Sequence, residues 1–300
     1  MTNKENMKYI IDVDTGIDDA LALLVASKKI ANKVIGITTC GGNVAVNDAT
    51  SNTLKIAQLA NWNVPIYHGA AKSIEGNEFV HAYDYHGSNG ICDVRLDTKR
   101  TAEKTDADRF IIDNANQFDL TIICLASPTN LARALIKSPD ISSKIKNVYL
   151  MGGAINVSGN QTEYAEFNFF QDPHAVKVVL ENIQNVFIIP LDVTNQCCIT
   201  DSEAARISAH MPMLMFLKEA VSNWYRFFGY PKKRQFELYD PLALSAAIGE
   251  DFVGFKDAKI GINTEGLRAG EIFINGKYPV KIAHTVRAAD FKKDFLESLS

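Results

Sequence analysis

The sequence has no apolar run long enough to cross a membrane. Its longest apolar stretches, residues 120–126 and 186–191, have the length of β-strands, whereas a membrane-spanning helix needs about 20 apolar residues. The N-terminal segment is polar and lacks the hydrophobic core of a secretory signal peptide. We therefore predict a cytoplasmic protein with no membrane partner.

An excess of positive charge is also missing. The 300 residues include 31 Lys and Arg against 35 Asp and Glu, which gives a net charge of −4. Proteins that bind nucleic acid usually present a basic surface to the phosphate backbone, so we expect no nucleic-acid partner. Hydrophobic residues make up 47% of the chain, which is typical of a globular protein and excludes a disordered one.

Cysteines are few and have no metal-binding spacing. The chain has five of them, none in a CxxC arrangement, and Cys197 is directly followed by Cys198. An odd number without regular spacing argues against a disulfide framework or a zinc site and fits a reducing compartment.

Sequence motifs of several common enzyme classes are absent as well. No GxGxxG or GxxxxGK[ST] pattern follows a predicted strand, which argues against dinucleotide and P-loop nucleotide binding. The chain also contains no GxSxG nucleophile elbow and no HExxH zinc motif.

The chain does contain an alternation of strand-like and helix-like segments. Strands such as residues 9–13 and 120–126 are apolar, which indicates a parallel sheet covered on both faces. We predict one α/β domain over residues 1–300, built on an open, mostly parallel, Rossmann-like sheet with helices on both faces. A closed (β/α)₈ barrel is the alternative. Near the C-terminus, Asn275-Gly276 predicts a hairpin turn and hence a small antiparallel addition.

Acidic residues cluster after the first predicted strand. Asp12, Asp14, Asp18 and Asp19 follow one another at short intervals, and Gly16 allows a tight turn between them. Carboxylates held this close together repel each other, and a divalent cation relieves the repulsion. Oxygen ligands of this kind favour Ca²⁺ or Mg²⁺ over zinc.

Polar residues also follow the later strands. Ligands of open α/β sheets bind beyond the carboxyl ends of the strands, so we expect these side chains to meet at one edge. They are Asn43, Thr129, Met151, Asn160, Glu166, Asn168, Tyr239 and Asp240.

The first strand taken by itself is compatible with a phosphatase. An Asp-x-Asp pair after an apolar strand resembles the haloacid-dehalogenase-like phosphatases, with Asp12 as nucleophile and Asp14 as acid/base. Asp18 and Asp19 have no role in such an enzyme, and no later lysine is followed by a strand that ends in paired acids. A Mg²⁺-dependent phosphatase therefore stays an alternative interpretation.

A second family matches more of the chain. Residues 12–20 read DVDTGIDDA, which is similar to the N-terminal DxDxGxDDA signature of the nucleoside hydrolases. The later motifs of that family follow in order at Met151-Gly-Gly, Glu166-Phe-Asn168 and Tyr239-Asp240. The chain thus resembles the inosine–uridine-preferring nucleoside hydrolases over residues 8–241.

This resemblance implies Ca²⁺-dependent hydrolysis of the N-glycosidic bond of ribonucleosides to ribose and free base. The implied calcium ligands are Asp14, Asp19, Asp240 and the backbone carbonyl of Thr129. Asp14 is implied to be the general base toward a metal-bound water, in a reaction with an oxocarbenium-like transition state. Family members are commonly dimers or tetramers, so we expect a homodimer or a homotetramer.

The resemblance also implies a set of contacts to the ribonucleoside substrate. The residues implied to orient the lower ribose hydroxyls are Asp18, Asn43, Asn168 and Asp240. Those implied to reach the 5′-hydroxyl are Asn160 and Glu166, and Met151 is implied to line the sugar pocket.

The chain differs from the family at the residue that protonates the leaving base. Many members have a histidine before the last calcium-binding aspartate, whereas this chain has Tyr239, which can donate a proton or stack on the base. His86 lies in residues 84–90, which match a mobile loop of the family, and the resemblance implies a catalytic role for it. The aromatic residues 224–230 resemble a second closing element, with packing into the core as the alternative.

Tyr239 also leaves open a third interpretation. A protein that keeps the ribose contacts but lacks the family's acid would be a non-catalytic ribose- or nucleoside-binding protein.

Overall fold

The computed structural model describes residues 7–229 and 235–300. Its centre is a nine-stranded β-sheet, and a separate two-stranded sheet pairs β7 with β8. The strands are β1 (Met7–Val13), β2 (Val34–Thr39), β3 (Ile66–Tyr67), β4 (Asp119–Cys124), β5 (Ile145–Met151), β6 (Val186–Ile189), β7 (Cys198–Ile199), β8 (Phe236–Glu237), β9 (Val253–Ile262), β10 (Ile272–Ile274) and β11 (Tyr278–Val286).

The nine-stranded sheet is open and mostly parallel, which confirms the predicted fold class. Its strand order is β10-β9-β11-β6-β5-β4-β1-β2-β3. Every neighbouring pair from β11 to β3 is parallel, whereas β9 is antiparallel to both of its neighbours. Because the order ends in two edge strands, the sheet does not close on itself, and the barrel alternative is wrong.

The antiparallel addition near the C-terminus is present, but the hairpin predicted at Asn275-Gly276 is wrong. β10 and β11 do not pair with each other, because β9 lies between them and pairs with both. The chain therefore crosses β9 near Ile260 instead of turning back on itself. Gly276 passes so close to the β9 backbone that a Cβ atom would overlap it, which explains the glycine.

Helices cover both faces of the sheet. Within the described part of the chain, no helix is both long and apolar enough to traverse a bilayer. The helices are α1 (Ile17–Lys29), α2 (Val46–Leu59), α3 (Tyr83–His86), α4 (Ala107–Ala115), α5 (Thr129–Lys137), α6 (Phe167–Gln171), α7 (Pro173–Asn182), α8 (Leu191–Thr194), α9 (Asp201–Arg206), α10 (Pro212–Trp224), α11 (Tyr239–Ala247) and α12 (Ala288–Ser298).

The hydrophobic core has two parts, one on each side of the sheet. In β1, Ile11 and Val13 belong to one cluster and Ile10 to the other, because successive strand residues point to opposite faces. Side chains of α1, α10 and α11 complete the first cluster, and those of α4, α5 and α7 complete the second. The central strands are therefore buried on both faces, which explains their uninterrupted apolar sequence.

The carboxyl ends of β1, β2, β4 and β5 meet along one edge. Val13 is in register with Thr39, and Cys124 with Leu150, so these strands end side by side. The residues that follow them therefore converge beyond that edge. Residues 69–104 are irregular, as predicted, and include only the short helix α3 among the elements defined above. The five cysteines are free thiols.

Candidate active site

A cavity of about 390 Å³ opens at the carboxyl edge of the sheet. Its volume lies in the range of small-molecule sites in proteins. Asp14 and Asp19 lie directly beneath it, since both carboxylates accept hydrogen bonds from Asn43. The predicted site residues that line the cavity itself are Asp18, Asn43, His86, Met151, Asn160, Glu166, Asn168, Tyr239 and Asp240.

The start of α1 positions two of the acidic residues. Asp18 and Asp19 occupy its first turn, where the helix dipole favours negative charge. Asp19 also accepts the backbone N–H of Gly16 at 2.9 Å and that of Asp14 at 3.3 Å. These bonds draw the end of β1 and the start of α1 together around one carboxylate.

Three carboxylates converge at the floor of the cavity. Oxygens of Asp18, Asp19 and Asp240 all lie within 4.8 Å of one another, and all three residues are buried. Burial raises the pKa of Asp19 to about 6, and burial with the neighbouring charge of Asp18 raises the pKa of Asp240 well above its usual range. The arrangement therefore favours a positive charge placed among the three.

The chemistry of this cluster fits a hard divalent cation. Its donors are all carboxylate oxygens, the type of ligand that Ca²⁺ and Mg²⁺ prefer. Oδ1 of Asp18 is buried and has no hydrogen-bond partner among the described residues. A buried oxygen of this kind costs free energy unless a ligand satisfies it.

Asp12 lies behind the cavity, inside the sheet. It is fully buried, and Oδ1 accepts the Thr38 hydroxyl at 2.6 Å and the Asn130 side-chain amide at 2.8 Å. It is not among the residues that line the cavity. A phosphatase nucleophile must reach its substrate, so the position of Asp12 argues against the phosphatase interpretation.

Glu166 fixes the cavity wall next to β5. Its carboxylate caps α6 by accepting the backbone N–H groups of Asn168 at 2.8 Å and Phe169 at 3.1 Å, and it also accepts that of Gly153 at 3.0 Å. Burial raises the pKa of Glu166 to about 7 in spite of these three bonds. The side chain is therefore held in one orientation at the cavity surface.

Thr129, the predicted backbone ligand, is not among the cavity residues, whereas Leu125 is. β4 ends at Cys124, so Leu125 is the first residue beyond the strand, and its carbonyl accepts the Asn168 side-chain amide at 2.7 Å. Thr129 already begins α5, and its hydroxyl donates to Asp172 at 2.9 Å. Leu125 was not predicted because the apolar run continues to Ala126, two residues past the end of β4.

His86 packs above the start of α1. Nδ1 accepts the backbone N–H of Ile17 at 3.1 Å, so a neutral imidazole carries its proton on Nε2. Burial lowers the pKa of His86 to about 3. At neutral pH the ring can donate a hydrogen bond through Nε2, but it is not an imidazolium acid.

Tyr239 begins α11 and lines the cavity next to Asp240. Two further cavity residues, Tyr85 and Glu237, were not predicted. The Tyr85 hydroxyl donates to the Glu237 carboxylate at 2.9 Å. Tyr85 belongs to the loop of residues 84–90, whereas the only signal for Glu237 in the sequence is its proximity to Tyr239.

The aromatic residues that follow α10 divide between core and surface. Trp224 is fully buried, with its ring edge-on to Tyr225 and Phe236 at 5.1 and 5.5 Å, so the core alternative is confirmed for it. Phe227 is half exposed. Tyr230, the last residue of the aromatic stretch, lies outside the described residues.

Comparisons with known proteins agree with this geometry. The family model for inosine-uridine preferring nucleoside hydrolases matches residues 9–293, nearly the whole chain. Probable uridine nucleosidase 1 of Oryza sativa subsp. japonica is 29% identical, and the alignment covers 93% of this chain and 92% of that protein.

Two further proteins extend the similarity to bacteria and to a solved structure. The pyrimidine-specific ribonucleoside hydrolase RihB of Escherichia coli (strain SE11) is 33% identical over 90% of this chain and 83% of its own length. The structure of a purine-preferring ribonucleoside hydrolase from Gardnerella vaginalis is 30% identical, has a TM-score of 0.90 and covers 97% of this chain and 98% of that one. The proteins matched over this length are named as enzymes that hydrolyse nucleosides. The chain therefore belongs to the inosine–uridine preferring nucleoside hydrolase family and is an enzyme that hydrolyses ribonucleosides to ribose and free base.

Proposed function

We propose that this enzyme hydrolyses ribonucleosides with a Ca²⁺ ion bound by the acidic cluster at the cavity floor. The observation that supports the proposal is the joint burial of Asp14, Asp18, Asp19 and Asp240. In residues 7–229 and 235–300, no lysine or arginine forms an ion pair with any of these carboxylates. Buried charges without a counter-charge cost several kcal/mol each, and a divalent cation offsets that cost.

We assign the ion to the carboxylates of Asp14, Asp19 and Asp240. Asp19 and Asp240 are supported by the short distances between their oxygens, and Asp14 by the Asn43 amide that it shares with Asp19. For the backbone ligand we propose the carbonyl of Leu125 in place of that of Thr129, because only Leu125 lines the cavity. When bound, Ca²⁺ supplies the positive charge that holds the ribose diol and orients water.

Asp14 acts as the general base that takes a proton from the attacking water. Its carboxylate is buried, and its orientation is fixed by the backbone and side chain of Asn43. Burial and the neighbouring charge of Asp19 raise the pKa of Asp14 well above its usual range, and a cation bound among these carboxylates would keep Asp14 ionised and able to accept a proton.

The other cavity residues hold the sugar. The side chains that orient the lower ribose hydroxyls are Asp18, Asn43, Asn168 and Asp240, and those at the 5′-hydroxyl are Asn160 and Glu166. Positive charge develops on the ring as the bond to the base breaks, and the surrounding carboxylates stabilise it. Fixing the sugar against the water contributes several kcal/mol more.

The departing base faces Tyr239 and His86. We assign proton donation to the Tyr239 hydroxyl, because His86 is neutral and serves as a hydrogen-bond donor only. An unperturbed tyrosine has a pKa of about 10, so it carries its proton at neutral pH.

The calcium proposal is tested with inosine, guanosine, adenosine, uridine and cytidine as substrates. Release of free ribose is measured in Ca²⁺, after dialysis against EDTA, and after Ca²⁺ is restored. We expect activity to disappear with the chelator and return with Ca²⁺, and the melting temperature to rise when Ca²⁺ binds the folded state. If neither the rate of hydrolysis nor the melting temperature changes after dialysis against EDTA, the proposal is contradicted.

A further inference from the structure

Tyr85 and Glu237 form a polar pair in the cavity wall. The Tyr85 hydroxyl donates to Oε2 of Glu237 at 2.9 Å, and both residues line the cavity. The Tyr85 ring is held edge-on against His86, with centroids 4.9 Å apart, and against Trp224 at 5.3 Å. Because Trp224 is fully buried, the Tyr85 ring rests on the core and the position of its hydroxyl is set.

Sheet topology separates this pair from the wall that contains Glu166. Glu166 accepts the backbone N–H of Gly153, just beyond β5. His86 accepts the backbone N–H of Ile17, the first residue of α1, which follows shortly after β1. β4 lies between β5 and β1, and neighbouring strands are about 4.8 Å apart. The two walls therefore lie about two strand spacings apart along the carboxyl edge of the sheet.

This separation gives the pair a place relative to the substrate, on the basis of the proposed function. If the ribose lies over the acidic cluster with its 5′-hydroxyl at Glu166, its base extends toward the other wall. That wall is formed by His86, Tyr239, Tyr85 and Glu237. In this placement the pair faces the base.

The chemistry of the pair is that of a hydrogen-bond acceptor. An ionised carboxylate only accepts hydrogen bonds, and a tyrosine hydroxyl that donates to it keeps only its lone pairs for other partners. Nucleobases with exocyclic amino groups match such a surface, whereas a carbonyl oxygen at the same place meets another acceptor. Guanine is the most complementary base, because it carries a ring N–H next to its amino group.

We propose that Glu237, oriented by Tyr85, is a specificity-determining residue that selects nucleobases bearing an amino group. The expected order is guanosine above inosine if the carboxylate meets the edge that carries the guanine C2 amino group, or cytidine above uridine if it meets the edge that carries the cytosine C4 amino group. A hydrogen bond to a charged group corresponds to a difference of roughly tenfold or more in kcat/KM within a pair. A base with a carbonyl oxygen at this place would bring a second acceptor against the carboxylate, which adds to the discrimination.

The test compares kcat/KM ratios within each pair for the wild-type enzyme, Glu237→Gln and Tyr85→Phe, all loaded with Ca²⁺. Glutamine keeps the shape of the side chain but replaces one acceptor by an N–H donor. We expect the guanosine:inosine ratio, the cytidine:uridine ratio, or both, to fall by roughly tenfold in Glu237→Gln. Tyr85→Phe removes the orienting hydroxyl and should reduce the same ratio by a smaller factor.

Asp84→Asn is the matched control, because Asp84 is an exposed carboxylate that lines the same cavity. It removes the same charge and should leave both ratios at their wild-type values. Ratios that stay unchanged in Glu237→Gln, or that fall equally in Asp84→Asn, would overturn the proposal.

A base-free substrate separates this outcome from failure of the proposed function. Nitrophenyl riboside has a ribose but no amino group, so its Ca²⁺-dependent hydrolysis reports on the sugar and metal site alone. Calcium-dependent hydrolysis with unchanged base ratios overturns the role of Glu237 only. Hydrolysis that is independent of Ca²⁺ overturns the proposed function as well.

Discussion

Asn43 binds the carboxylate of Asp14 through two of its own donors. Its backbone N–H lies 2.7 Å from Oδ2 of Asp14, and its side-chain amide lies 3.1 Å from Oδ1. The same side-chain nitrogen is 3.1 Å from Oδ2 of Asp19. Asn43, in the loop after β2, thus orients both Asp14, which directly follows β1, and Asp19 in the first turn of α1. Hydrogen bonds to charged groups of this kind contribute about 1.5–3 kcal/mol.

The close approach of Asn43 to Asp14 depends on the glycine before it. A Cβ atom at Gly42 would overlap the Asp14 carboxylate. We therefore expect Gly42→Ala to push the Asp14 side chain out of place and to lower kcat/KM by about 10²-fold, as loss of a positioned general base does. The measurement is steady-state kinetics at saturating Ca²⁺. Gly254→Ala is the control, because its Cβ would come closest to the Thr285 hydroxyl on β11, and neither residue lines the cavity. Equal losses of kcat/KM in the two variants would show that Gly42→Ala acts by disturbing the fold and not by displacing Asp14.

Replacing Asp14 removes the proposed base directly. We expect Asp14→Ala to lower kcat by about 10²-fold or more with every nucleoside, because the attacking water then lacks a proton acceptor. Ribose release by the Ca²⁺-loaded variant is the measurement. Asp257→Ala, at a solvent-exposed surface ion pair, should retain wild-type turnover. Near-native activity of Asp14→Ala would contradict the assignment.

Tyr239→Phe distinguishes proton donation from stacking. If the hydroxyl protonates the departing base, the variant should lose about 10²-fold in kcat with uridine or inosine and far less with nitrophenyl riboside, whose leaving group needs no proton. Phenylalanine keeps the aromatic ring, so stacking on the base is unaffected. Equal rates for the two enzymes on all substrates would show that Tyr239 acts by stacking.

His86 should remain neutral over the physiological pH range. Because burial lowers the pKa of His86 to about 3, we expect its imidazole NMR signals to stay constant from pH 5 to pH 8. The signals are assigned by their loss in His86→Gln. A titration with a midpoint near 6.5 would instead indicate an exposed ring that is able to act as an imidazolium acid.

The stability of the metal-free enzyme should decrease as the pH rises. Burial raises the pKa of Glu166 from 4.5 to about 7, so the folded state binds a proton that the unfolded state releases between these values. The stabilisation is fully present below pH 4.5 and is lost as the pH rises through 7. Melting temperatures measured from pH 4.5 to pH 8 in EDTA should therefore fall.

The matched variant for this prediction is Glu166→Gln, which cannot titrate. Its melting temperature should depend less on pH than that of the wild type. Part of the dependence should remain, because burial also raises the pKa of Asp12 to about 7 and that of Asp19 to about 6. If the melting temperature of Glu166→Gln depends on pH as strongly as that of the wild type, Glu166 has the same pKa in the folded and the unfolded state.

The elements near the acidic cluster were predictable because their signals are local. Alternating strands and helices, the DxDxGxDDA stretch and the residues after each strand depend on neighbours in the chain. The open parallel sheet and the position of most predicted side chains at one edge follow from the same pattern. Thr129 was the exception, since the choice between it and Leu125 depends on the residue at which β4 ends.

Contacts between distant parts of the chain were not predictable in this way. The Asn275-Gly276 turn has the composition of a hairpin, but the position of β9 between β10 and β11 decides the pairing. Glu237 carries no motif and Tyr85 is only one position of the loop of residues 84–90, and the packing of α3 against the end of β8 brings the two together.

The sequence alone determined the chemical character of this protein: acidic oxygen donors, a polar residue after each strand and the family signature. The tertiary structure alone decided which of those groups share one space. Asp240 lies more than half the chain away from Asp18 and Asp19, yet its oxygen comes within 4.8 Å of theirs. The physical reason is that burial of apolar faces on both sides of the sheet places α11 beside α1, and this packing holds together carboxylates that repel each other.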